Sequence, residues 1–236
     1  MKALTVNNLA CAAALCFAAM LSSCSLDGDY EQFFPQTDLV TIQYAPDSSS
    51  WYLLNDGGLK LWPKNAAEVT EKLKNNARAL AAFNVLVDEK VQGYDYVVSL
   101  MYMGHINVYG VTPVDSAALR HAPSDTLRNV ENVWIGSRYL NIDYYCFYNV
   151  DTAKHSASLL CDTTAEQRGG NVKLFFRHNS NGDKGTKSRQ SIVSFDLESL
   201  RSAVQADTIS IAFEAEASDG MYRRDFTYKF KSQGTP

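Results

Sequence analysis

From residue 38 onward, short runs rich in Val, Ile, Tyr, Phe and Thr alternate with clusters of turn residues, a rhythm that predicts strands. Asp38 to Ala45 reads as a strand with partial alternation, Asp47-Ser48-Ser49-Ser50 as a turn, and Trp51 to Leu54 as a second strand. Asn55-Asp56-Gly57-Gly58 predicts a hairpin turn, because glycine accepts positive φ without a Cβ clash. Leu59 to Trp62 forms a third strand, ended by Pro63. Asn65 followed by Glu68 predicts a capped start to a short helix over Ala66 to Lys74. Arg78 to Val87, alanine-rich, is a fourth strand, and Asp95 to Val108 a long fifth. Three strands, a short helix and two strands is the order of an OB-like barrel, expected over 38–108.

Gly110, Pro113, Pro123 and a lack of period make 109–130 the expected linker. A second β-rich block covers 131–236. Val133 to Ile135 and Tyr139 to Val150 are strands split by Gly136-Ser137, with Leu140, Ile142, Tyr144, Cys146 and Tyr148 on one face. His155 to Cys161 follows, with Ala157, Leu159 and Cys161 on one face. Asn171 to His178 and Ser191 to Phe195 are further strands. Asp196 is placed to cap one helical turn, Leu197 to Ser202. Thr208 to Glu216 and Tyr222 to Phe230 form a last hairpin about Ser218-Asp219-Gly220. Six or seven antiparallel strands with an inward Trp134 suit an immunoglobulin-like β-sandwich. The expected fold class is therefore mainly β, an OB-like barrel followed by a sandwich.

The first 23 residues differ from all of this. Lys2 precedes an apolar run from Leu9 to Leu21, and Leu21-Ser22-Ser23-Cys24 follows it. That is a signal peptide with a lipobox, cut before Cys24, whose thiol would carry the lipid. The run is short of the ~20 residues a spanning helix needs. Residues 24–37 then form an acidic tether, including Asp27, Asp29 and Glu31. It partly resembles the surface-export signal of Bacteroidetes lipoproteins and reads equally as a solvated linker. The expected location is the outer membrane, facing the surface or the periplasm.

Cleavage would leave 213 of the 236 residues, with 21 basic and 26 acidic side chains. Over Asp38 to Asn107 there are six basic and eight acidic residues, a poor footprint for nucleic acid. Cys11 and Cys16 leave with the signal, so Cys146 and Cys161 remain. If their strands formed a simple hairpin about Asp151, the cysteines would sit roughly 13 Å apart along the strands, too far for a disulfide. Two buried thiols are expected.

No catalytic set stands out. His105, His121, His155 and His178 are scattered, without metal-ligand spacing. His178 beside Arg177, or His155 near Asp151, would need a hydrogen-bonded partner to act as a base. Ser156 and Ser158 lie in no Gly-x-Ser-x-Gly elbow. Asn179-Ser180-Asn181-Gly182-Asp183 places oxygens as a calcium loop does but lacks the downstream glutamate, and a hairpin turn is the simpler reading. No cofactor or metal is expected. Tyr145 and Phe147, opposite Cys146, and Tyr94 and Tyr96, near the barrel's end, are the candidate ligand-binding residues. Exposed aromatics stack on sugars or protein partners, although aromatics also fill β cores.

Several stretches resemble the NigD-like lipoproteins of Bacteroidetes. They are Trp51 to Pro63, Trp134-Ile135-Gly136 with Tyr139-Leu140-Asn141-Ile142, Phe176 to Asp183, and Val193 to Leu197. Together they span nearly the whole mature chain. The resemblance implies an N-terminal OB-like domain and a C-terminal β-sandwich, and it brings no catalytic residues. The family's name comes from a bacteriocin-immunity role. This chain departs from the expected pattern at Ala66 to Ala82. The expected function is a non-enzymatic envelope lipoprotein, held to the membrane through Cys24, that binds an envelope protein or glycan. A bacteriocin-immunity role is the alternative, and an enzyme acting on envelope polymers ranks last.

Overall fold

The computed structural model describes residues 36–45, 50–69, 73–163 and 170–231. The signal peptide, Cys24, most of the tether and part of the 47–50 turn lie outside the described residues.

β1 (Gln36–Tyr44), β2 (Trp51–Asn55), β3 (Lys60–Pro63), β4 (Arg78–Val85) and β5 (Tyr96–Ile106) close a barrel in the order β1-β2-β3-β5-β4. β3 and β5 pair in parallel, and the other four contacts are antiparallel. Side chains alternate across each strand, so Val40, Ile42, Leu53, Leu61, Phe83 and Val98 fill the interior. Ala79 and Ala81 join them. A five-stranded barrel is narrow, and small residues beside large ones fit its taper. The alanines that made this strand hard to read are its core positions.

The predicted helix after β3 shrinks to a single 3₁₀ turn, Ala66–Glu68, and its residues 70–72 are outside the described set. Asn65 does not cap that turn. Its amide instead donates to Leu100 O (3.0 Å) and accepts from Leu100 N (2.9 Å), pinning the turn to β5.

The expected linker is also structured. β6 (Val108–Val114) follows β5 after one residue, then a short helix α1 (Ser116–His121) capped by Asp115. The sandwich strands are β7 (Asn129–Gly136), β8 (Tyr139–Tyr148), β9 (Ser156–Asp162), β10 (Asn171–Asn179), β11 (Lys187–Asp196), β12 (Thr208–Ala217) and β13 (Gly220–Lys229). They run β13-β12-β10-β9-β6-β11-β8-β7. β6 turns the corner between the two layers: Val108–Gly110 pair with β11, and Val111–Val114 with β9. Each half needs few ladder bonds, so Gly110 and Pro113 are tolerated in a strand they would otherwise argue against. Further on, buried Leu127 bridges to Ala217, fixing the end of the supposed linker.

Three other expectations change. The sheet is mixed, since β6 pairs in parallel with β9 and β11, and β10 with β12. Trp134 is half-buried, and its neighbour Val133 takes the core position. β8 and β9 are not hairpin partners, because β8 pairs with β7 and β11 while β9 pairs with β6 and β10. Cys146 and Cys161 are buried and not joined by a disulfide, as expected, but because their strands belong to different layers. Asp196 does cap its turn, accepting from Glu198 N at the start of Leu197–Leu200.

Barrel and sandwich form one compact unit joined by a buried ion pair. Since Ala79 points into the barrel, Arg78 points out of it, yet it is fully buried. Its guanidinium donates to both carboxylate oxygens of Asp56 in the β2–β3 turn, at 2.6 and 3.0 Å. It also donates to Thr41 Oγ1 (3.2 Å) and to Asn141 Oδ1 of β8 (3.0 Å). Asn141 Nδ2 returns a bond to Asp56 Oδ2 (2.9 Å), and Ser194 Oγ donates to Asn141 Oδ1 (2.7 Å). The Tyr139 ring lies 4.6 Å from the guanidinium carbon. Such a site is costly to desolvate, and nearly complete pairing offsets that cost. Arg78 Nε alone of the guanidinium lacks a partner.

Removing one partner exposes that cost. Asp56→Ala should destabilise the fold by about 3–5 kcal/mol, measured by urea unfolding. Gly136→Ala should also destabilise it, because a Cβ there would stand 2.1 Å from Asp56 Cγ and push the carboxylate off Arg78. Wild-type unfolding midpoints for both variants would show that the clasp contributes nothing.

Candidate functional site

Two places gather chemistry, one in each domain. On the barrel, the β4–β5 register shifts between Ala82 and Phe83, so that Ala82 faces Tyr102 and Phe83 faces Leu100. Met101 is the extra residue of this bulge. Bulges bend a strand and re-aim its side chains, and here Met101 and Tyr102 are 61% and 60% exposed. The Tyr102 ring lies back over Gly104, whose missing side chain makes the space: a Cβ there would meet the Tyr102 hydroxyl at 2.4 Å. A groove of about 320 Å³ runs between Met101, Tyr102 and the Asn65–Val69 turn. A second concavity, about 270 Å³, is lined by Ile42, Leu73, Ala79, Met103 and His105. Met103 borders both.

The aromatic residues predicted as ligand-binding are divided between two places. Tyr94 is half-buried against Tyr52 and Trp62, with ring centroids 5.5 and 4.7 Å away. Tyr96 is 47% exposed on the barrel edge. Tyr145 and Phe147 lie on β8 of the sandwich, half-buried. Tyr102, which the sequence groups with Tyr94, Tyr96 and Tyr109 near the barrel's end, is exposed as that reading expects, whereas nothing in the sequence signals Met101, which only the register shift turns outward beside it.

The sandwich site lies where β8, β9 and β10 end. Asp183 accepts from the backbone N–H groups of Asn149 and Val150, and from His155 Nε2 at 3.1 Å. These donors hold its carboxyl below the usual range, the Asn149 amide contributing most. His155 Nδ1 meets His178 Nε2 at 3.1 Å, and one ligand atom each of Cys146, His155 and His178 lie within 4.8 Å of one another. Burial, then the neighbouring His155, pushes His178 down to about 4, so its ring is neutral at neutral pH. The loop is tied down by Asp125, whose carboxylate accepts from Ser180 N (2.8 Å) and Ser180 Oγ (2.7 Å).

The calcium-like run resolves as a turn. Asn181 (φ 52°) and Gly182 (φ 84°) take left-handed backbone, Asn179 Oδ1 accepts from Asn181 N, and Asp183 serves His155. The histidines, scattered in sequence, converge because the β9–β10 register sets His178 opposite Ala157, two residues past His155. No local spacing signals that. Cys146, His155 and Asp183 have the residue types of a nucleophilic relay, but Cys146 is 1% exposed in the sandwich core and offers no attacking face to a substrate.

An OB-like barrel clasped to a mixed β-sandwich defines a two-domain, mainly β protein. Residues 39–106 match the NigD-like N-terminal OB domain, and residues 111–228 the NigD-like C-terminal beta sandwich domain. The chain belongs to the NigD-like family. Solved structures share the fold. A NigD-like immunity protein from Bacteroides caccae is 19% identical, with a TM-score of 0.58 over 82% of this chain and 96% of its own. A candidate lipoprotein from Bacteroides fragilis is 14% identical, with a TM-score of 0.58 over 84% and 99%. A protein of unknown function from Bacteroides vulgatus is 19% identical, with a TM-score of 0.66 over 85% and 92%. No curated protein sequence matches this chain.

Asp125 gives a pH test of the loop. The Ser180 backbone amide, then its hydroxyl, lowers the carboxyl from its ordinary 3.8. A lowered folded value means that the unfolded chain takes up the proton first. The stabilisation is therefore present above pH 3.8 and is lost as pH falls through the folded value. Urea unfolding between pH 5 and 3 should show this loss in the wild type and a flatter profile in Asp125→Asn. Identical profiles would show that the bond adds nothing to stability.

Proposed function

We propose that the protein is a non-enzymatic, lipid-anchored component of the bacterial cell envelope that captures another protein on the outer face of its barrel. The observation that carries this reading is the bulge in β5, which presents Met101 and Tyr102 to solvent beside two adjoining concavities. Exposed tyrosine and methionine are favoured in protein interfaces, and methionine adapts to irregular partner surfaces. The lipobox ending at Cys24 supports the anchor, and the name of the B. fragilis structure accords with it. The burial of Cys146 supports a non-enzymatic role. A glycan partner fits the Tyr52–Tyr94–Trp62 cluster instead.

A second reading rests on the B. caccae immunity protein, whose fold this chain shares. A tethered barrel that meets an incoming bacteriocin would use the same face.

A photo-cross-linker at position 102 should trap a defined protein on intact cells, and Met101→Asp with Tyr102→Asp should weaken that capture about tenfold or more. Capture unaffected by these changes would move the site elsewhere, and stacking on glycan arrays that Tyr94→Ala abolishes would favour the sugar reading. Deleting the gene should raise sensitivity to sibling bacteriocins only if the immunity reading holds. Protease shaving of intact cells, with Cys24→Ala as the unanchored control, should remove the wild-type band if the body faces outward.

A further inference from the structure

We propose that Cys146, His155 and His178 bind one transition-metal ion of the zinc class at the end of the sandwich, with Asp183 holding His155 in its coordinating orientation. The partner-capture reading does not depend on this site, which lies in the other domain.

The argument begins with the protons. Asp183 is an anion held by two backbone amides, so it takes the hydrogen on His155 Nε2. In a neutral imidazole the other nitrogen then carries a lone pair. That nitrogen, Nδ1, faces His178 Nε2 at 3.1 Å. Without metal, His178 must place its proton in that gap, which leaves its Nδ1 buried, and Nδ1 has no hydrogen-bond partner. An ion between the rings would accept both lone pairs. The His178 proton would then sit on Nδ1, leaving the Nε2 lone pair facing the same gap.

The donor set suits the ion. Two imidazoles and a thiolate are borderline-to-soft ligands, which select zinc or copper over magnesium or calcium. Zinc–nitrogen bonds of about 2.0–2.1 Å and zinc–sulfur bonds of about 2.3 Å place tetrahedral ligands roughly 3.3–3.6 Å apart. The facing nitrogens already stand 3.1 Å apart, and all three ligand atoms fall within 4.8 Å, so side-chain shifts of about 1–1.5 Å bring the three to coordinating distance. The Cys146 thiol would release its proton on binding. An aspartate on the far nitrogen of a ligating histidine is the usual outer support of zinc sites. A cleft of about 250 Å³, lined by Asp125, Phe147, His178 and Asp183, gives the ion a route to His178.

The test is cobalt(II) titration of the chelator-treated full chain, with zinc(II) as competitor. A thiolate-to-cobalt charge-transfer band should grow to one equivalent and be displaced by zinc(II). Cys146→Ser should abolish the band, His178→Ala should reduce affinity at least 100-fold, and Cys161→Ser, which removes the other buried thiol, should change neither. Asp183→Asn keeps the shape of the site and should weaken binding 10- to 100-fold. It serves as the second test if His178→Ala does not fold by circular dichroism. Absence of the band in folded wild-type protein, a band that survives Cys146→Ser, or unchanged affinity in Asp183→Asn would overturn the proposal.

Discussion

The guanidinium of Arg78 has no route to water, and much of the architecture follows from that. A charge sealed between two layers must be answered on every side, and the answers come from two elements of the barrel and two of the sandwich. The β2–β3 turn supplies Asp56, β1 supplies Thr41, β8 supplies Asn141 and β11 supplies Ser194. None of these groups could drift without stranding another polar atom, so the pair specifies one docking of the two domains as much as it stabilises it. Arginine suits the task because its planar fork meets a carboxylate with two bonds and an amide with a third. Close approach is paid for by Gly136, whose lack of a side chain lets the turn carboxylate reach the sandwich.

Seen from this joint, the two candidate sites are well supported. The bulge of β5 lies on a closed barrel with no free edge to unravel. The Cys–His–His group is built on strand ends and on a loop held by Asp125 and Asp183. Both are small irregularities on rigid scaffolds, which is where β proteins tend to place recognition and coordination chemistry.

What the amino-acid order disclosed was local. Asn55 to Gly58 announces its turn because positive φ at Gly58 is a demand that few residue types meet. Asp196 announces its cap because a short side chain reaches the backbone amide two residues on, Glu198 N. The alternation of Leu140, Ile142, Tyr144 and Cys146 announces a core face, and the quoted stretches announced the family. Distant pairings stayed hidden. Gly110 and Pro113 disguised β6, because a strand that serves each layer briefly does not need a strand's composition. Trp134 looked like a core residue, but alternation gave that place to Val133. Nothing nearby links Asp56 to Arg78 or His155 to His178, and only strand register joins them.

The corner strand has a consequence for the protein as a piece of inheritance. β5 ends at Ile106 and β6 begins at Val108, and β6 belongs to the sandwich. There is no neutral seam at which recombination could exchange one domain and leave the other intact. A crossover just after the barrel would part Arg78 from Asn141, and a crossover later would graft the corner strand onto the wrong partner. The two domains can therefore be expected to travel through genomes as one module, varying their surfaces while keeping their junction.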